Sequence, residues 1–100
     1  MAVIMPFWDM AFALEIGKIW KDQGWRVKIA DKECVESPHV TIILRTKKWR
    51  IDLRAGAFMD KNPPPREVPR GLVDEVKQHM EELVQEWDRM YPLNPVESGH

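Results

Sequence analysis

Three short stretches between residues 25 and 54 alternate apolar and polar side chains, and this alternation constrains the fold more than any other feature. The apolar members recur at every second position: Trp25, Val27 and Ile29, then Val40, Ile42 and Leu44, then Trp49, Ile51 and Leu53. A period of two is that of a β-strand that buries one face and exposes the other. The sequence therefore predicts three strands that form one antiparallel sheet.

A two-residue loop at Lys47 and Lys48 is predicted to join the second and third strands as a hairpin. This register pairs apolar residues on one side of the sheet, Leu44 with Ile51 and Ile42 with Leu53. On the other side it pairs Arg45 with Arg50 and Thr41 with Arg54. A slip by one residue would mix apolar and charged residues on each face, so the pattern excludes it.

A helix is predicted on either side of the strands. The first covers residues 9–23, with Asp9 as its N-cap and Gly24 at its end. Its apolar residues recur at helical spacing: Phe12, Ile16, Ile19 and Trp20. The second covers residues 71–91, follows Pro69, and carries one apolar stripe: Leu72, Val76, Met80, Leu83, Trp87 and Met90.

Together these elements predict an α+β domain of the order α-β-β-β-α, with a three-stranded antiparallel sheet and both helices packed on one of its faces. A chain of 100 residues has about the size of a single domain. We expect residues 1–8 to form an N-terminal segment, residues 9–92 the domain, and residues 93–100 a disordered tail. The proline tract at residues 62–65 is expected to be a stiff connector inside the domain.

Composition narrows the classes of function. The formal net charge is −1, which excludes a uniformly basic nucleic-acid-binding protein. Cys34 is the only cysteine, so no internal disulfide can form, and we expect an inert thiol. No apolar run approaches the roughly 18 residues that a membrane span requires. We therefore expect a cytoplasmic protein that makes no contact with a membrane.

The charges are distributed unevenly along the chain. Residues 26–54 contain eight basic and four acidic side chains, net +4, whereas residues 71–91 contain two basic and six acidic side chains, net −4. Strand parity predicts that five cations share the outward side of the sheet: Arg26, Lys28, Arg45, Arg50 and Arg54. Such a face suits phosphate binding, and it also suits a solvated face that charge keeps soluble.

His39 follows Ser37 and Pro38 at the start of the second strand, and its parity places it on the same side as Arg45. It is either a general acid or base near neutral pH or an exposed histidine without a chemical role. His79 flanks the apolar stripe of the last helix and is interpreted as a partly buried packing residue. The spacing of His, Cys and acidic residues does not match a zinc site, so no metal or other cofactor is expected.

Four local features resemble the HicA family of toxin-type mRNA interferases, whose fold is that of the double-stranded-RNA-binding domain. They are Gly24-Trp25, Ser37-Pro38-His39, Arg50-Ile51-Asp52-Leu53 and Glu67-Val68-Pro69-Arg70-Gly71-Leu72. This resemblance implies RNA cleavage, with His39 in the place of the family's catalytic histidine. The strand start also resembles that of an uncharacterised family with a Pro-Pro-His-x-His motif, although Thr41 replaces the second histidine. Both resemblances imply a toxin–antitoxin pair, and hence an antitoxin-like protein partner.

The sequence is compatible with two functions from different classes. In the first, the outward cations bind the phosphates of RNA, and His39 acts on the ribose 2′-hydroxyl or on the leaving oxygen. In the second, the protein is a non-enzymatic interaction module whose acidic helix or basic sheet binds a protein partner. Binding to RNA that weakens steeply with added salt would distinguish the first from the second.

Overall fold

The computed structural model describes residues 12–29 and 37–96. Strand β1 covers Phe12–Ala13, β2 covers Trp25–Ile29, β3 covers His39–Leu44 and β4 covers Lys47–Asp52. Helix α1 covers Lys18–Asp22, α2 covers Arg70–Gln78 and α3 covers Met80–Met90. A single 3₁₀ turn, Pro65–Glu67, lies between β4 and α2.

The strands form one antiparallel sheet in the order β1-β2-β3-β4, so the α+β class and the antiparallel sheet are confirmed. The sheet has four strands rather than the expected three. The additional strand is β1, in which Phe12 and Ala13 pair with Ile29 and Lys28 of β2. Two residues are too few to show a period of two, which explains why the alternation in the sequence does not reveal this strand.

The register of the β3–β4 hairpin differs from the expected one. The turn lies at Arg45 and Thr46, so Leu44 pairs with Lys47 instead of with Ile51, a shift of four residues. The expected cross-strand pairs of arginine do not form. An even shift keeps the side chains within β3 and β4 on their predicted faces, although the predicted pairs are wrong.

The first helix is shorter than the spacing predicts. It begins at Lys18, whereas its expected N-cap, Asp9, lies outside the described residues. Gly17 has φ −57° and ψ 148°, an extended conformation that ends the helical path on the N-terminal side. Ile19 is 63% exposed, so one of the residues that suggested a longer apolar stripe is not part of the core.

The last helix is interrupted at His79, where φ is −103° and ψ is 18°. The single helix expected over residues 71–91 is therefore two helices, α2 and α3. Its apolar stripe is confirmed, because four of its members are 0% exposed: Leu72, Val76, Leu83 and Trp87. His79 itself is half-buried, and its Nδ1 lies 3.3 Å from Glu82 Oε1.

One hydrophobic cluster joins these helices to the sheet. The sheet contributes side chains that alternation predicts to face inward: Trp25, Val27, Ile29, Val40, Ile42, Trp49 and Ile51. Leu53, which follows β4, belongs to the same cluster. The rings of Trp25 and Trp49 lie with their centroids 5.5 Å apart. Each large apolar side chain buried here contributes about 1.5–3 kcal/mol. The core therefore lies between one face of the sheet and the apolar stripe of α2 and α3.

Residues 91–96 fold back onto the domain, although a tail was expected from residue 93. Val96 is 5% exposed, and its N–H donates to Asp88 Oδ1 at 2.8 Å. Trp87 Nε1 donates to the carbonyl oxygen of Asn94 at 2.7 Å. The remainder of the expected tail, residues 97–100, lies outside the described residues.

Candidate nucleic-acid interface

The face of the sheet opposite the core presents two rows of side chains, each paired directly across β2, β3 and β4. The first row is Arg26, Ile43 and Lys48, and the second is Lys28, Thr41 and Arg50. We call these six residues the basic face. Strands lie about 4.8 Å apart, and residues two positions apart along a strand lie about 6.8 Å apart. The Cα atoms of the four cations therefore mark the corners of a rectangle of about 10 Å by 7 Å.

The centre of the basic face is closed and three of its corners are accessible. Ile43 is 3% exposed and Thr41 is 8% exposed, although both lie on the side of the sheet away from the core. Arg26 and Lys48 are exposed, and Lys28 is partly exposed. Within residues 12–29 and 37–96, no carboxylate forms an ion pair with any of these three cations.

Arg50 forms the fourth corner and is bound to a carboxylate. Its Nε and Nη2 donate to Asp60 Oδ2 and Oδ1 at 2.8 and 2.7 Å, which is the bidentate geometry of strong arginine–carboxylate pairs. The hydrogen bond from Arg50 lowers the pKa of the Asp60 carboxyl. Partial burial opposes this shift, whereas the charge of Arg50 and the nearby His39 add to it.

Two of the five cations expected on this face lie elsewhere. Arg45 is exposed at the tip of the hairpin with φ 56°, a left-handed conformation that Asn or Gly usually supplies in two-residue loops. Arg54 follows β4 in a turn, where its Nε donates to the carbonyl oxygen of Val96 at 2.6 Å and its Nη2 to that of Pro95 at 3.0 Å. The sheet therefore brings together only three of the expected cations: Arg26, Lys28 and Arg50.

His39 has the expected parity but not the expected exposure. Its side chain is 0% exposed, whereas both interpretations of its sequence position require an accessible imidazole. Its Nδ1 lies 2.7 Å from the carbonyl oxygen of Ser37, and a carbonyl can only accept, so Nδ1 carries the proton. The ring centroid of His39 lies 5.6 Å from that of Trp87 in the core. While these contacts persist, the imidazole cannot touch a phosphate bound on the basic face.

The acidic charge lies on the helical side of the molecule. Residues 70–90, which make up α2 and α3, contain three basic and six acidic side chains, net −3. One of these acids, Glu75, forms hydrogen bonds within the protein: its carboxylate accepts from the N–H of Gly17 at 2.6 Å and from Trp20 Nε1 at 3.2 Å. Asp74 and Glu81 are exposed. The basic sheet and the acidic helices are thus separated by the core.

Two residues of the interface are absent from the set expected from the sequence. Lys48 was expected in the hairpin loop. Because the turn lies at Arg45 and Thr46, Lys48 is instead part of β4 and lies on the same face as Arg50. Asp60 reaches Arg50 through an irregular segment, for which sequence periodicity offers no signal.

Cys34, which we expected to be inert, lies outside the described residues.

Within the described part of the chain, no group of three or more His, Cys, Asp or Glu side chains is arranged to hold a metal ion. None of the helices there combines the length and the apolarity that a bilayer crossing requires. No family model, curated protein or solved structure matches this chain. A function must therefore be inferred from the basic face itself.

Proposed function

We propose that the basic face binds the phosphate backbone of RNA. The observation that carries this proposal is the rectangle of four cations, three of which have no carboxylate partner among the described residues. Three hydrogen-bonded strands hold their Cα atoms at fixed spacing. At separations of about 7–10 Å, each pair of like charges repels by about 0.5 kcal/mol in water. An anion bound at the accessible corners, Arg26, Lys28 and Lys48, offsets this repulsion with attraction.

The chemistry of this face favours backbone contacts over recognition of bases. Phosphate contacts position a nucleic acid but carry no sequence information. Base recognition on a sheet commonly uses aromatic platforms, but the basic face contains no aromatic residue, since Trp25 and Trp49 point into the core. We therefore expect binding that depends little on sequence. The resemblance to HicA toxins supports RNA as the polyanion.

The proposal assigns binding to the basic face and no bond-breaking step to His39. A general acid or base must come within hydrogen-bonding reach of the proton that it transfers. The 0% exposure of His39 and its contacts with Ser37 and Trp87 do not provide that reach.

Salt titrations of RNA affinity test the proposal. Labelled RNAs of two unrelated sequences would be titrated with the wild type and with the double variant Arg26→Ala/Lys48→Ala. Each lost phosphate contact reduces the slope of log K against log salt by about 0.7–0.9, so the double variant should lose about 1.5. The matched control is Lys18→Ala/Lys77→Ala, which removes the same charge from exposed positions on α1 and α2.

We expect both RNAs to bind the wild type with similar affinity, the double variant to bind weakly, and the control to bind nearly as well as the wild type. Equal weakening by the control would show that net charge, and not the basic face, determines binding. Absence of RNA binding at low salt would refute the proposal. The exposed acidic residues of α2 and α3, Asp74 and Glu81, would then be the surface on which to seek a protein partner.

A further inference from the structure

The tip of the β3–β4 hairpin places a further cation, Arg45, next to the basic face. Ile43 precedes Arg45 by two residues and pairs with both Arg26 and Lys48. Since neighbouring strands lie about 4.8 Å apart and residues two positions apart lie about 6.8 Å apart, the Cα of Arg45 is about 8 Å from that of either corner. Arg45 is therefore closer to Arg26 and to Lys48 than these two residues are to each other.

The backbone of Arg45 is in a conformation that disfavours an arginine. Among the described residues, Arg45 is the only non-glycine residue with a positive φ, 56°. In this left-handed region the Cβ approaches the following carbonyl oxygen, whereas Gly and Asn tolerate the conformation at lower cost. The side chain is exposed and forms no hydrogen bond or ion pair with the described residues. The contacts of the fold thus do not explain why an arginine occupies the hairpin tip.

Carboxylates pair with two cations of β4 but leave the cations around the hairpin tip unmatched. Lys47 Nζ lies 3.0 Å from Glu67 Oε1, and Arg50 is bound to Asp60. Within the described part of the chain, four neighbouring cations have no carboxylate partner: Lys28, Arg26, Arg45 and Lys48. We call these four residues the cationic arc, because they follow one another along β2, over the hairpin tip and onto β4.

We propose that Arg45 binds a phosphate of the RNA and that the backbone of one RNA strand follows the cationic arc. This inference rests on the proposed binding of RNA to the basic face. Successive cations of the arc lie about 7–8 Å apart at their Cα atoms, which is comparable to the separation of successive phosphates along one strand. A path toward Arg50 would instead bring phosphates close to the carboxylate of Asp60. The arc therefore offers more attraction and less repulsion than a path across Arg50.

Binding at Arg45 explains why the disfavoured conformation is kept. Residues held in sparsely populated backbone conformations cluster at functional sites, where the side chain is needed in spite of the strain. A phosphate contact requires the positive charge of Arg45, which neither Gly nor Asn supplies. Replacing Arg45 should consequently change stability and affinity in opposite directions.

The variant Arg45→Asn tests the inference, because asparagine removes the charge and suits the left-handed conformation. We expect the affinity for RNA to fall about three- to tenfold, which is the range for one partly exposed charged contact. The slope of log K against log salt should become shallower by about 0.7–0.9, since one phosphate contact is lost. The Tm should rise by about 2–8 °C, since backbone strain is relieved.

Two further variants separate binding at Arg45 from a general effect of charge. Arg45→Lys restores the charge in the disfavoured conformation, so it should recover most of the affinity but not the gain in Tm. Lys77→Gln removes one charge from an exposed position on α2, on the other side of the core, and should bind RNA nearly as well as the wild type.

Either measurement can overturn the inference. An affinity of Arg45→Asn equal to that of the wild type would do so, as would a loss of affinity that Lys77→Gln matches. A Tm that is unchanged or lower in Arg45→Asn would also overturn it, because Arg45 would then adopt its conformation without cost or support the hairpin. Arg45→Gly repeats both measurements if Arg45→Asn does not fold.

The two proposals fail in different ways. If the wild type binds RNA and Arg26→Ala/Lys48→Ala weakens this binding, but Arg45→Asn changes neither the affinity nor the slope, only the role of Arg45 is refuted. If the wild type does not bind RNA at low salt, the proposed function itself is refuted.

Discussion

Replacing Glu75 should destabilise the protein more than replacing any exposed acid on the same helix. Its carboxylate accepts from the N–H of Gly17, the N-cap of α1, and from the indole Nε1 of Trp20. One side chain of α2 thus holds both the start of α1 and its largest side chain. Glu75→Ala would leave these two donors without the acceptor that they have in the folded protein.

The size of the effect follows from the two hydrogen bonds. A hydrogen bond to a charged group contributes about 1.5–3 kcal/mol, and partial exposure places both bonds at the lower end of that range. The bond to Trp20 is also long, at 3.2 Å, so it contributes less than the bond to Gly17 at 2.6 Å. We therefore expect Glu75→Ala to lower the free energy of unfolding by about 2 kcal/mol, or the Tm by about 8–16 °C.

Urea unfolding followed by tryptophan fluorescence measures this change. The matched control is Asp74→Ala, which removes an exposed acid from the preceding position of α2 and should change stability by less than about 0.5 kcal/mol. Glu75→Gln keeps one acceptor oxygen and should lie between the two. Equal stability of the Glu75→Ala and Asp74→Ala variants would refute the conclusion that Glu75 fixes α1.

The structure also determines the direction of two further effects on stability, one of a substitution and one of pH. In Gly71→Ala, the new Cβ would lie 2.8 Å from Cζ2 of Trp20, and the overpacking cost of about 1–3 kcal/mol should exceed the gain of about 1 kcal/mol in helix propensity. Urea unfolding should show a net loss, and a gain in stability would contradict this contact. The lowered pKa of Asp60 means that its ion pair stabilises the fold above the ordinary carboxyl pKa and that this contribution is lost as the pH falls toward the lowered pKa. Between about pH 6 and pH 3 the wild type should therefore lose more stability than Asp60→Asn, and parallel curves would contradict the assigned shift.

The faces of the strands could be predicted from the sequence, but their pairing could not. Alternation excludes odd shifts, because they move charged side chains into the core, whereas shifts of two or four residues leave both faces unchanged. The observed register opposes Ile42 to Trp49 and Val40 to Ile51, and it extends both strands to six residues. The turn gives no local signal, since Arg45 and Thr46 are not the residues that two-residue loops usually contain.

For the helices, too, the buried positions could be predicted from the sequence, whereas the break between α2 and α3 could not. The apolar stripe of α2 and α3 could be predicted from its helical spacing, and four of its members are fully buried. The interruption at His79 was not, because the stripe continues across it without a Gly or Pro. Near the other end of the chain, Gly17 has a low helix propensity, which weakened the prediction of a helix over residues 9–23. Helix α1 begins directly after this glycine.

The candidate site was predictable only where the chain is regular. Arg26, Lys28 and Arg50 lie in strands, so their parity identified their common face. The burial of His39 depends on a ring from α3, and the pairing of Arg50 depends on Asp60 in an irregular segment. Contacts of this kind join elements that no local pattern relates.

The separation of charge across the core has a consequence for handling and immobilising the protein. A net charge of −1 and an isoelectric point near 6.3 suggest a molecule that only an anion exchanger would retain at neutral pH. Since retention depends on the side that meets the matrix, the basic face should also hold the protein on a cation exchanger of low ionic strength. On a negatively charged chip or mica surface, the molecules should therefore adsorb in one orientation, with α2 and α3 toward the solvent.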